Sequence, residues 1–280
     1  MTDESFMQLM RLLPRSALSH AVGHATRFPA PAWLHQAVIR RFAAHFQVNL
    51  EEAEHPVEGY PTFLDFFTRR LKPGMRPVDA APDAVVSPVD GCVSQFGYAL
   101  SGQLVQAKGI TYTAAQLLGD AEAAAPFEGG AWATIYLAPR DYHRIHSPLG
   151  GEVEGFSYIP GQFWPVNAAS VNLVDALFCV NERLVTYLKT PAGRVAVVKV
   201  GATNVSRIRA LYDDFVTHTG QPGKKHAYEK GIPLEKGAEL GVFEMGSTVV
   251  LLFEMDRVRW DARIQPDVVV RMGQRVGTWA

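Results

Sequence analysis

Lys236-Gly237-Ala238-Glu239-Leu240-Gly241-Val242-Phe243-Glu244-Met245-Gly246-Ser247-Thr248 runs without pause into Val249-Val250-Leu251-Leu252-Phe253. A glycine-cornered polar turn followed by an unbroken apolar run of strand length reads as a strand buried on both faces, and so as the centre of a β-rich core. Gly246 has no Cβ, which leaves its carbonyl open to close approach, and Ser247 sets a hydroxyl directly behind that carbonyl. Taken alone, Gly-Ser-Thr reads first as a strand-entry turn whose hydroxyl caps local backbone.

Upstream of this stretch, from about Val85, short runs of Val, Ile, Phe and Tyr separated by Gly, Pro and Asp predict antiparallel strands. A weak internal echo crosses them. Ser87-Pro88-Val89-Asp90-Gly91 resembles Ser147-Pro148-Leu149-Gly150-Gly151, and Lys236-Gly237-Ala238 resembles Met272-Gly273-Gln274. The pattern suggests a curled, sandwich-like sheet with related halves, although so short an echo also arises by chance.

The first 58 residues have a different texture. Phe6, Leu9, Met10 and Leu13, then Leu18, Ala21 and Val22, predict two helices broken at Pro14, and Leu34, Val38, Phe42 and Phe46 predict a third from Trp33. Thr62 and Asp65 have the spacing of a capping box for one more short helix. The expected class is therefore α+β: an N-terminal helical region, 1–58, and a mainly antiparallel, sandwich-like β-rich catalytic domain, 59–280. Residues 1–50 carry Arg11, Arg15, Arg27, Arg40 and Arg41 against Asp3 and Glu4. Such basic amphipathic helices suit an anionic membrane surface, and they suit equally well packing on the main domain.

The totals exclude several classes. Lys plus Arg number 27 and Asp plus Glu 28, so no global positive field argues for nucleic acid. Cys92 and Cys179 are too few for a disulfide framework or a Cys-based zinc site and point to a reducing compartment. Arg11, Pro14 and Arg15 break the first apolar stretch, which fits neither a signal peptide nor the ~20 apolar residues of a membrane span, so any membrane contact is expected to be peripheral.

Chemistry-bearing residues concentrate in Ala138-Pro139-Arg140-Asp141-Tyr142-His143-Arg144-Ile145-His146-Ser147. His143 and His146 would converge on one pocket if they lay on a helical turn or tight loop. A metallohydrolase built on them stays open, but no third ligand at a recognised spacing is present, and no metal is expected. Asp90 reads as a turn-forming side chain or as a carboxylate that fixes a histidine tautomer so that its other nitrogen can take a serine proton.

With these residues assembled, the chain resembles the phosphatidylserine decarboxylases of the longer bacterial, pyruvoyl-dependent type. The resemblance runs from about residue 60 to 255 through Phe66-Phe67-Thr68-Arg69-Arg70-Leu71, Ser87-Pro88-Val89-Asp90-Gly91, Asp141-Tyr142-His143-Arg144-Ile145-His146, Asn181-Glu182-Arg183, Val200-Gly201-Ala202 and Gly246-Ser247-Thr248. Met245 stands where the family has leucine. The resemblance implies that His146, held by Asp90, deprotonates Ser247, which attacks Gly246 and converts the amide to an ester. Elimination through dehydroalanine then yields chains 1–246 and 247–280, which stay associated, with a pyruvoyl group derived from Ser247 as the only cofactor. It further implies His143 as proton donor to the substrate, phosphatidylserine as substrate, and a peripheral place on the cytoplasmic face of the membrane, and it is compatible with a homo-oligomer. Phe163, Trp164, Phe178 and Phe243 are expected to line the pocket. Deletion of residues 1–50 is expected to abolish vesicle binding and leave self-cleavage intact. A non-catalytic β-sandwich lipid-binding module, in which Ser247 is a turn residue, is the remaining alternative.

Overall fold

The computed structural model describes residues 2–107, 109–203, 207–245 and 248–280. Four helices come first: α1 (Asp3–Leu12), α2 (Arg15–Arg27), α3 (Ala32–Phe46) and α4 (Phe63–Phe67). The break between α1 and α2 falls at Leu13-Pro14, where proline has no N–H to continue the ladder. Thr62 and Asp65 form the expected capping box on α4, each side chain bonding the other's backbone N–H.

The strands follow as β1 (Ala84–Val86), β2 (Gly91–Tyr98), β3 (Gln103–Ala107), β4 (Ile110–Thr113), β5 (Ala131–Tyr136), β6 (Arg144–His146), β7 (Gly151–Ile159) and β8 (Arg183–Thr190). They continue as β9 (Gly193–Val200), β10 (Ile208–Ala210), β11 (Lys224–Leu234), β12 (Glu239–Phe243), β13 (Thr248–Phe253), β14 (Val258–Trp260), β15 (Val269–Val270) and β16 (Arg275–Trp279). Eight make one antiparallel sheet in the order β11-β7-β8-β9-β13-β5-β2-β15, and two three-stranded sheets, β1-β16-β14 and β10-β12-β6, accompany it. The molecule is thus α+β with helices first and antiparallel sheets after, as the residue pattern predicts.

β13 lies in the middle of the large sheet, paired to β9 on one side and β5 on the other. Alternation along the strand sends Val249, Leu251 and Phe253 into one apolar layer and Val250 and Leu252 into the opposite one. The first layer is shared with the two small sheets, and the second with α1, which contributes Met7 and Met10. A strand buried on both faces has no polar positions to alternate with, which is why its sequence is an unbroken apolar run.

The internal echo is structural. The Ser87 hydroxyl donates to Val89 O (2.7 Å) and the Ser147 hydroxyl to Leu149 O (2.5 Å), so both Ser-Pro segments fold into the same turn. The turns also pair with each other, Val86 N–H to Pro148 O at 3.1 Å and His146 N–H to Pro88 O at 2.8 Å. Each is clasped by one glycine corner: Gly237 N–H bonds Ser147 O and Gly273 N–H bonds Ser87 O. Both glycines have φ near +80°, and a Cβ on either would collide with the Pro77-Val78 segment. The related halves therefore meet across a local two-fold at residues 86–90 and 146–150.

Candidate active site

His146 leaves that two-fold crossing as the last residue of β6, whose ladder with β12 sets Glu239 opposite it. Its Nδ1–H donates to Gly237 O (2.7 Å) and its Nε2 accepts from the Tyr142 hydroxyl at 3.3 Å. A carbonyl can only accept, so Nδ1 carries the proton and Nε2 presents a lone pair. Burial pushes the imidazole below its usual range, partly offset by Gly237 O and by the charges of Glu239 and Asp90.

His143 lies on the same stretch, its carbonyl accepting from Phe243 N–H at 3.0 Å. Its ring is fully buried, packs on Phe67 with centroids 4.1 Å apart, and donates from Nδ1 to Asp141 O at 2.8 Å. Among the described residues, its Nε2 meets no hydrogen-bond partner. Burial, with the nearby Arg69 charge, lowers its pKa to about 3. The two imidazoles do not converge as a helical turn would make them. The segment is extended, residues three apart fall on opposite sides of a strand, and the rings have separate neighbours.

Asp90 is 6% exposed and two residues from Pro88, the acceptor of the His146 backbone N–H. Its carboxylate does not hold the His146 ring as expected. Arg76 occupies it instead, with Nε at 2.8 and 2.9 Å from the two oxygens and Nη2 at 2.5 Å, and Met272 N–H adds a bond at 2.8 Å. Arg76 also reaches Glu52 at 2.7 Å. A bidentate guanidinium outcompetes an imidazole for the same oxygens, so Asp90 acts on His146 through its field rather than a direct bond.

Gly246 and Ser247 lie outside the described residues, and their neighbours frame the place. Met245 faces a cavity of about 340 Å³ walled by Phe42 and Phe46 of α3, Phe67, Tyr136 and Leu137. Thr248 faces a second, of about 460 Å³, with Thr134, Phe178, Gln106 and Cys92. Tyr136, Val166 and Asn167 border both cavities, so Met245 faces an apolar pocket and Thr248 a more polar one that share a wall. Of the four aromatic residues expected as lining, Phe178 alone borders either cavity. Phe243 points into the core, Phe163 stacks on His218, and Trp164 lies under the Arg15 guanidinium. The wall residues Phe42 and Phe46 carried a signal in the sequence, a four-residue spacing read only as helical periodicity.

The segment is also tied from its upstream side. Glu244, two residues before Gly246, is buried and ion-paired to Arg27 of α2 and to Arg209 of β10, the latter at 2.7 Å. Neither Arg76 nor Glu244 was identifiable as part of the site from its neighbours in the chain.

Residues 63–278 match the family model described as phosphatidylserine decarboxylase. The chain is 65% identical over 277 residues to the phosphatidylserine decarboxylase proenzyme of Myxococcus xanthus, covering 99% of each. It is 54% identical to the proenzyme of an Anaeromyxobacter species, again covering 99% of each, and 42% identical to that of Brevibacillus brevis, covering 96% of each.

Proposed function

The chain belongs to the phosphatidylserine decarboxylase family of carboxy-lyases, and from that membership we propose that it cuts itself between Gly246 and Ser247 and decarboxylates phosphatidylserine to phosphatidylethanolamine with the pyruvoyl group so formed. The observation that carries the reading is the setting of residues 245 and 248, which face two adjoining cavities, Met245 lying two residues beyond Phe243, whose N–H bonds the carbonyl of His143, a buried histidine whose Nε2 has no partner among the described residues.

In the first reaction Ser247 Oγ adds to the Gly246 carbonyl while its proton passes to His146 Nε2 and on to the departing Ser247 nitrogen. An ester replaces the amide with no atom gained or lost. The Asp90 charge favours the imidazolium that forms in passing. Elimination then releases the Gly246 carboxylate, and one water enters as one ammonia leaves. The residues present fit the resulting group: it would stand on Thr248 at the head of β13, held by ladders on both sides, with open volume next to it.

The pyruvoyl carbonyl supplies the electron sink for loss of CO2. His143, whose one proton is on Nδ1, would take a second at Nε2 from the incoming substrate ammonium and hand it to the substrate α-carbon, and the Phe42, Phe46 and Phe67 wall keeps water from a carboxylate about to leave as a neutral gas. Phosphatidylserine reaches the site from an anionic membrane surface on which the N-terminal helices rest. Leu12, Phe28 and Trp33 are 83%, 67% and 71% exposed, and Arg11, Arg40 and Arg41 are exposed around them. No helix of the described residues is long and apolar enough to cross a membrane.

Intact mass decides the matter. Purified protein should yield a 34-residue peptide from residue 247, lighter by one ammonia than its serine-terminated form, and Ser247→Ala should give a single uncut, inactive chain. Full-length wild-type protein with unmodified Ser247 that nonetheless decarboxylates phosphatidylserine would overturn the proposal.

A further inference from the structure

Resting on the self-cleavage proposed above, a second role follows for helix α2. Glu244 has a side chain only 2% exposed, and it is flanked by two guanidiniums. Its own N–H is bonded to Arg207 O at 2.9 Å, so both its backbone and its carboxylate are fixed. Arg27 is fixed as well, since its Nη1 donates back to Gly23 O of α2 at 2.7 Å. On the other side of the scissile bond Thr248 is held in the ladders of β5 and β9.

Between these anchors Met245 has φ +138°, a conformation that a residue with a Cβ holds only where its surroundings impose it. β10 and β13 belong to the β-rich body, and Arg27 is the anchor that comes from outside it. We propose that Arg27 is a positioning residue for self-cleavage: by locking Glu244 it holds Met245 in this backbone geometry and so presents the Gly246 carbonyl to Ser247. Maturation then depends on α2 being seated. The same helices that meet the membrane also set the geometry of the bond to be cut.

The test follows conversion of freshly synthesised full-length precursor on denaturing gels, with circular dichroism and a thermal midpoint to show that each variant is folded. Arg27→Ala and Glu244→Gln should each slow conversion about ten- to a hundredfold, the range expected when reacting atoms are displaced by an ångström or less. The double variant should be little slower than either single one, because both break the same link. Arg27→Lys, which keeps the charge, should recover part of the rate. Arg15→Ala loosens the same helix elsewhere, by removing the guanidinium 3.4 Å over Trp164 and its bond to Gln162, and should convert at the wild-type rate.

Wild-type rates in both Arg27→Ala and Glu244→Gln would overturn the proposal, and so would an Arg15→Ala defect as large as that of Arg27→Ala, which would mean that general docking of the helix is all that matters. If Arg27→Ala does not fold, the rate of Glu244→Gln, which keeps the side-chain volume, decides between these outcomes. Wild-type precursor that never converts would instead sink the self-cleavage reading itself.

Discussion

At the scale of the residue, His143 shows how far burial changes what a side chain type implies. Its imidazole titrates at about 3 in the folded protein against an ordinary 6.5. The unfolded chain takes a proton that the folded one does not. The stability owed to the neutral ring is therefore complete above pH 6.5 and is lost as pH falls from there toward 3, by about 1.4 kcal/mol for each unit. His143→Gln should flatten the fall of the thermal midpoint across that window. The same variant should cut itself normally and fail to decarboxylate, because His143 is assigned to the substrate proton and not to Ser247. A fully active variant would remove that assignment, and an unchanged pH slope would mean that the loss of stability in acid does not come from His143. The types and order of Asp90, His143 and His146 were legible in the chain. Their partners were not: Arg76 takes Asp90, and the extended backbone separates the two rings, because both outcomes depend on segments distant in sequence.

At the scale of the element, the N-terminal helices pack on the β-rich body and still leave apolar and basic side chains exposed. α2 packs through its small residues Ser19 and Gly23, and α3 through Ile39, Ala43 and the half-buried Phe42 and Phe46, while Leu18 on α2 and Trp33, Leu34 and Val38 on α3 stay outward. A helix that seats by small residues approaches closely and leaves its bulk for another surface. Replacing Leu12, Trp33 and Leu34 together by Ser should abolish co-sedimentation with phosphatidylserine vesicles while self-cleavage proceeds, and unchanged sedimentation would refute the membrane role. Removal of residues 1–50 is a different experiment. It takes away Arg27 and the Phe42 and Phe46 wall, so a slowed cleavage is expected where helical periodicity alone suggested none.

At the scale of the whole molecule, the residues after Ser247 are held firmly enough to stay in place through the proposed cut. Beyond Ser247, β13 pairs on both sides and buries five large apolar side chains, each contributing roughly 1.5–3 kcal/mol. β16 adds a ladder to β1, which lies before the cut, and Asp90 accepts from Met272 N–H. Size-exclusion chromatography without denaturant should therefore elute residues 1–246 and 247–280 as one species after cleavage. Loss of the 34-residue peptide in buffer would show that the ladders do not suffice.

The division between helices and antiparallel sheets, the buried strand Thr248–Phe253, the capping box at Thr62 and the duplicated Ser-Pro turns all follow from the sequence by itself, because each is a matter of local periodicity or of backbone preference within a few residues. Family resemblance added the roles of the candidate residues. Tertiary structure alone decided that Arg76 occupies Asp90, that Phe42 and Phe46 wall the cavity beside Met245, and that Arg27 reaches Glu244 across 217 positions of chain. Such contacts are set by how rigid elements pack, and packing depends on the shape of the whole core rather than on any single stretch of it.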